Sequence, residues 1–142
     1  MLFRSSASQS YTLVDVSGLS PDIVKVIITG TSKGGSTSNP TTLNINGTFN
    51  RTWERDTSGT ATATTGTAPT QWQNKSSNNY AFRIEIDLKS KTTYYSYAHY
   101  PNGFEMIDGI AYGNVTTIGG TQHGIASTVD GELVATIQYI ID

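Results

Sequence analysis

The run Phe82-Arg83-Ile84-Glu85-Ile86-Asp87-Leu88-Lys89 alternates apolar and charged residues without a break. A period of two is what a β-strand with one buried and one wet face requires, so this stretch predicts a half-buried strand. Leu43 and Ile45 against Asn44 and Asn46 repeat the pattern, as do Leu133, Ala135 and Ile137 against Glu132, Thr136 and Gln138. The run Ile23-Val24-Lys25-Val26-Ile27-Ile28 is β-branched and apolar on both sides except at Lys25, which predicts a strand inside a sheet. Weaker strand patterns cover residues 11–16, 92–100, 110–118 and 124–129, and no segment keeps a 3.6-residue stripe.

Turn chemistry agrees. Asp130-Gly131 before Glu132-Leu133 fits a two-residue hairpin turn, and Pro101-Asn102-Gly103 fits a tight connection after the Tyr-rich strand. About eight short strands with frequent turns predict an all-β, antiparallel β-sandwich. Two stretches lack a core pattern. Residues 1–10 read as an amino-terminal arm that orders against a neighbour, ahead of a sandwich domain over residues 11–142. Residues 54–79, rich in Thr, Ser, Ala, Gly and Asn, read as a long polar surface loop with at most a short edge strand around Trp72.

A length of 142 residues favours a single domain. Nine Lys and Arg against eleven Asp and Glu give a net charge of −2, scattered along the chain, so neither nucleic acid nor an anionic membrane is an expected partner. The absence of cysteine excludes disulfides and thiolate metal sites. The opening Met1-Leu2-Phe3-Arg4-Ser5-Ser6 has no apolar stretch of signal-peptide or membrane-spanning length, which predicts a product made in the cytosol without membrane insertion. Four Asn-x-Ser/Thr sequons, at Asn46, Asn50, Asn74 and Asn114, are then chance matches in a Ser/Thr/Asn-rich chain.

Tests for chemistry fail one after another. Gly30-Thr31-Ser32-Lys33-Gly34 fits G-x-S-x-G after a strand, but an elbow must open a helix, and Gly35-Ser36-Thr37-Ser38-Asn39-Pro40 follows instead. The segment reads as a glycine-rich hairpin loop, and Lys33 is misplaced for a phosphate loop. His99 and His123 have no second ligand at short spacing, and Asp108-Gly109 and Asp130-Gly131 lack the repeated oxygens of a calcium loop. Glu85 and Asp87 share a strand face with Arg83 and Lys89, which reads as charge balance. No catalytic residue, cofactor or metal is expected.

Aromatic residues carry the surface hypothesis. Trp72, Tyr94, Tyr95, Tyr97 and Tyr100 are rings suited to stacking on sugars or to protein contact. Alternation places Tyr95 and Tyr97 with His99 on one face, and Tyr94 and Tyr100 with Ser96 and Ala98 on the other, and one set must be core.

The order of features resembles the jelly-roll domains of tailed-bacteriophage virion proteins, both capsid decoration (cement) proteins and tail receptor-binding domains. The echoes are Leu43-Asn44-Ile45-Asn46-Gly47 followed by Trp53 and a polar Ser/Thr/Gly loop, then the strand at residues 84–88. Lys91-Thr92 and Val115-Thr116-Thr117-Ile118 follow, ahead of a closing strand at residues 133–141. The resemblance implies a jelly-roll-like sandwich and a non-enzymatic virion structural protein, assembled as a homotrimer and attached to the major capsid protein or to tail proteins. A chain starting at Met1 with no stalk sequence favours decoration and stabilisation of the capsid. The alternative is a tail receptor-binding or carbohydrate-binding module that meets a host surface glycan. The residues expected to meet a partner are Leu2, Phe3 and Arg4 in the arm, together with Trp53, Trp72, Tyr94 and Tyr100.

Overall fold

In the computed structural model the alternating run beginning at Tyr80 forms a strand, with Phe82, Ile84 and Ile86 buried and Arg83 exposed opposite them. The structure describes residues 2–5, 9–34, 41–56, 58–66, 68–69, 71–74, 80–99, 105–122 and 131–142. Within them ten strands occur: β1 (Leu2–Ser5), β2 (Gln9–Asp15), β3 (Ile23–Lys33), β4 (Thr41–Arg55), β5 (Ala61–Thr64), β6 (Trp72–Asn74), β7 (Tyr80–Asp87), β8 (Thr92–His99), β9 (Glu105–Gln122) and β10 (Gly131–Ile141). The fold is the expected all-β antiparallel sandwich. The expected strand at residues 124–129 and the turns at 101–103 and Asp130 lie outside the described residues.

Every ladder is antiparallel, and the main hydrogen-bonded order is β1-β10-β3-β7-β8-β9-β4-β5. Two strands are too long for one layer, and that decides the architecture. The first half of β9 pairs with β8, through Thr92↔Tyr112 to His99↔Glu105, whereas its second half pairs with β2, through Asp15↔Thr117 to Gln9↔Gln122. β4 follows β9 along most of its length, with β6 on its first residues and β5 on its last. Register shifts at Asn46/Gly47 and Phe49/Arg51 bend the β4–β9 pair where it leaves one layer for the other, the usual device for turning a strand around a corner.

Glycine is required at that corner. A Cβ on Gly113 would lie 2.2 Å from the Thr48 carbonyl oxygen and 2.6 Å from the Phe49 Cα, and its φ of 154° falls where side chains are disfavoured. Gly113→Ala is therefore expected to destabilise the fold by about 2 kcal/mol or more, since backbone rather than a movable side chain stands in the way. Urea unfolding checks this, and an unchanged midpoint would count against the corner being tightly specified.

Between the layers lies one core, with Val26, Ile28, Phe82, Ile84, Ile86, Tyr95 and Tyr97 from one side and Tyr11, Leu13, Val14, Leu43, Ile45, Trp72 and Ile118 from the other. Trp72 stacks on Tyr97 at 5.1 Å between centroids and 10° between planes, and meets Tyr95 at 5.1 Å and 49°.

Three sequence expectations change. In the described part of residues 54–79 the short strand expected around Trp72 is present as β6, but β4 runs to Arg55 and a further strand, β5, is also paired to β4. The Gly30–Gly34 segment is not a hairpin loop, because β3 continues through Lys33, and Gly30 stands in the strand where a Cβ would lie 2.7 Å from the Phe82 ring. Finally, residues 2–5 and 9–10 do not stand apart as an arm. β1 pairs with β10 of the same chain from Leu2↔Val134 to Ser5↔Gly131, and Gln9 and Ser10 open β2.

Candidate functional site

The outer face of the larger layer, away from the core, carries three of the four exposed aromatic residues among the described ones, Trp53, Tyr94 and Tyr112. Cross-strand register builds it row by row, because directly paired residues in adjacent strands point to the same side. The central row runs Gln138, Ile27, Glu85, Tyr94, Ile110, Trp53 and Ala63, in register across β10, β3, β7, β8, β9, β4 and β5. Beside it lies the row Thr29, Arg83, Ser96, Asp108, Arg55 and Ala61, and on the other flank Lys25, Asp87, Thr92, Tyr112 and Arg51. Tyr94 is 49 % exposed, and Trp53 and Tyr112 are each 40 % exposed. The three rings surround Ile110.

The charges of this face are engaged with one another. The Lys25 ammonium donates to Glu85 Oε1 at 2.8 Å, and Arg83 Nη2 reaches Glu85 Oε2 at 3.3 Å. The hydrogen bond from Lys25, ahead of opposing partial burial, holds the Glu85 carboxyl below its usual range, and the same bond raises Lys25. Arg55 grips Asp108 with two bonds, Nε to Oδ1 at 3.1 Å and Nη2 to Oδ2 at 2.8 Å, a planar fork that fixes both side chains. The Arg51 guanidinium lies 4.2 Å from the Trp53 ring centroid. Asp87 caps the β7–β8 turn by accepting from the Lys89 and Ser90 N–H groups, which lowers its pKa, and Lys89 pairs with Asp142 instead. These ion pairs are partly or well exposed and add little stability, so their consequence is a preset arrangement of donors and acceptors.

Three shallow hollows meet at Asp108. One of about 340 Å³ lies between Tyr94, Arg83 and Asp108, floored by Ser96 and the backbone at Gly109. A second, about 470 Å³, continues past Ser96 and Asp108 to Met106, Arg55 and Asp56. The third, about 180 Å³, is bounded by Trp53, Arg55, Ala61 and Ile110. They exist because Ser96 is short, while the flanking rings and guanidinium groups stand up from the sheet.

Of the residues expected to meet a partner, Trp53 and Tyr94 share this face. Trp72 does not: it is 0 % exposed, drawn into the core because β6 pairs with β4 and turns the indole onto Tyr97. Tyr95 and Tyr97 form the buried set of the Tyr-rich strand. Leu2, Phe3 and Arg4 place their backbone in β1, at the other end of the sheet order from β5. Tyr100 and His123 lie outside the described residues, as does the side chain of His99. Arg55, Asp108, Ile110 and Tyr112 were missed as site residues. The alternation of Met106, Asp108, Ile110 and Tyr112 against Ile107, Gly109 and Ala111 was the available signal, weakened by the glycine and alanine on the inner side.

Ser32 is the penultimate residue of β3, fully buried. Its Oγ is 2.8 Å from the Tyr97 hydroxyl, and the Asn74 amide donates to its carbonyl oxygen at 2.5 Å, so it bridges the layers rather than facing a cleft. Among the described residues no group of three or more His, Cys, Asp or Glu converges as a metal site, and no helix is long and apolar enough to cross a membrane. No protein-family model matches this chain, and comparison with curated proteins and with solved structures also gives no match.

Proposed function

We propose that this protein is a non-enzymatic structural component of a virion, in the first place a capsid decoration (cement) protein, that works by docking its outer sheet face on another surface. The observation that carries the docking reading is the Trp53–Ile110–Tyr94 row with its preset charges: large exposed rings on a rigid sheet, next to donors and acceptors whose geometry is fixed before any partner arrives. The virion setting rests on the resemblance in motif order, which also implies the homotrimer and the major capsid protein as partner. A near-neutral chain suits crowding of many copies on one lattice.

Cryo-electron microscopy of particles that carry the chain tests this, with trimers at regular positions over the capsid as the expected density. Copies confined to the tail would overturn decoration in favour of the second reading, a receptor-binding or carbohydrate-binding module. Absence from the particle would overturn the virion setting altogether. The second reading is favoured by the hollows around Asp108, which a flat protein–protein contact does not need.

A further inference from the structure

We infer that the hollows on either side of Ile110 are a subsite for an uncharged oligosaccharide, lying across β8, β9 and β4 with one sugar ring on the Tyr94 side and the next on the Trp53 side. This rests on the reading of the outer face as a binding surface and goes further by naming its ligand class.

Three features of the face converge on that chemistry. The first is spacing. Tyr94, Ile110 and Trp53 are direct neighbours across three strands, so the outer two rings stand roughly 10 Å apart, two inter-strand spacings and about the span of two linked pyranose rings. The hollows beside them share Asp108, Gly109 and Ile110, so a ligand passing from one to the other crosses the low ridge at Ile110. The second is polarity. A sugar offers an apolar face of C–H groups and a rim of hydroxyls that both donate and accept. The Tyr94 and Trp53 rings match the first, while Glu85, Asp108, Arg55, Arg83 and the Ser96 hydroxyl match the second, the carboxylates accepting and the guanidinium groups donating.

The third is charge balance. Lys25, Arg51, Arg55 and Arg83, on or beside the face, are matched by Asp56, Glu85, Asp87 and Asp108. The cations are engaged already: Lys25 and Arg83 on Glu85, Arg55 on Asp108, and Arg51 on Trp53. A phosphorylated, sulfated or sialylated ligand in these two hollows, whose cations are Arg83 and Arg55, would have to break the pair with Glu85 or with Asp108 to obtain a counter-charge. A neutral polyol adds hydrogen bonds to the paired groups and leaves the pairs in place.

The test uses the whole purified chain on an array of uncharged and anionic oligosaccharides, followed by calorimetric titration of the best uncharged hexasaccharide. Binding is expected for uncharged glycans, with affinity changing less than about twofold between low and high salt because no net charge is neutralised. Trp53→Ala and Tyr94→Ala should each weaken binding about tenfold, the value of one aromatic contact, with circular dichroism unchanged. Tyr139→Ala, an exposed tyrosine outside this face, should leave affinity unaltered. Exclusive binding of anionic glycans, or equal affinity in the Trp53 and Tyr94 variants, overturns the subsite. If no glycan binds while Tyr94→Ala abolishes attachment to particles, the face remains a docking surface and the sugar assignment alone fails.

Discussion

Trp72→Ala is expected to lose about 3–5 kcal/mol of folding stability, the range for truncating a large aromatic side chain in a closed core. Trp72 is the largest of the fully buried side chains among the described residues, and it belongs to the three-residue strand β6, whose backbone ladder runs to Thr41, Thr42 and Leu43. Its indole packs that strand on the opposite layer through Tyr97 and Tyr95, beside the hydrogen bond from the Asn74 amide to the Ser32 carbonyl. Scanning calorimetry should register a fall in melting temperature of roughly 10–15 °C for a domain of this size. The ring, not its N–H, is what matters. The Trp72 Nε1 meets no acceptor among the described residues, so Trp72→Phe keeps an aromatic face on Tyr97 and removes a buried polar group left without a bond. That variant should cost no more than about 2 kcal/mol. Equal losses for Ala and Phe would show that an aromatic ring retained against Tyr97 contributes nothing to stability.

Raising the pH should unfold the protein in one steep step above about pH 10. Burial first of all raises the pKa of Tyr11, Tyr95 and Tyr97, with the neighbouring Tyr97 adding to the effect at Tyr11 and the bond to Glu54 adding to it at Tyr95. A folded pKa above the unfolded one means that the stability from these groups is complete below about pH 10 and is lost as the pH climbs beyond it. Lys25, raised by its bond to Glu85, works in the same direction. The structural origin lies in two matching arrangements on β9. Tyr95 crosses Gly109 so that its hydroxyl donates to Glu54 Oε1 at 2.8 Å, and Tyr11 crosses Gly120 to donate to the Thr42 carbonyl at 2.5 Å. Ionisation would bury a phenolate where its donated bond had been. Tyrosinate absorbance should therefore show three of the eight tyrosines ionising in the same transition that abolishes the β-sheet circular dichroism signal. Complete tyrosine ionisation with the sheet signal intact would contradict the buried placement.

Both predictions concern residues whose position could not be read locally. The Tyr-rich segment at β8 announced two alternating sets, and only the second layer made Tyr95 and Tyr97 the core set and left Tyr94 to solvent. Trp72 is isolated among Thr, Gly and Asn, so no period marks it as inward. Its burial follows from β6 meeting the first residues of β4, a contact that no pattern around Trp72 itself announces. Ser32 looked like the centre of a loop because Gly30 and Gly34 flank it, yet Gly30 belongs to the strand to make room for Phe82.

The candidate face shows the same division. Trp53 and Tyr94 stood out as aromatic residues, whereas Arg55, Asp108 and Ile110 become site residues only because β4 and β9 lie side by side for eleven paired positions.

What the sequence determined by itself was the class of structure: alternation at Phe82 to Leu88, at Leu43 to Ile45 and at Leu133 to Ile137 demands half-buried strands, and hydrophobic burial then demands a second layer. What only the tertiary structure decided was which strands change layer, which aromatic set faces inward, and which charges meet on the outer face. Those depend on pairings that no local period announces, from Leu43↔Trp72 between β4 and β6 to Arg55↔Asp108 between β4 and β9 and Asp15↔Thr117 between β2 and β9. A strand's own period fixes that it has two faces, but the face that is covered depends on what the rest of the chain lays against it.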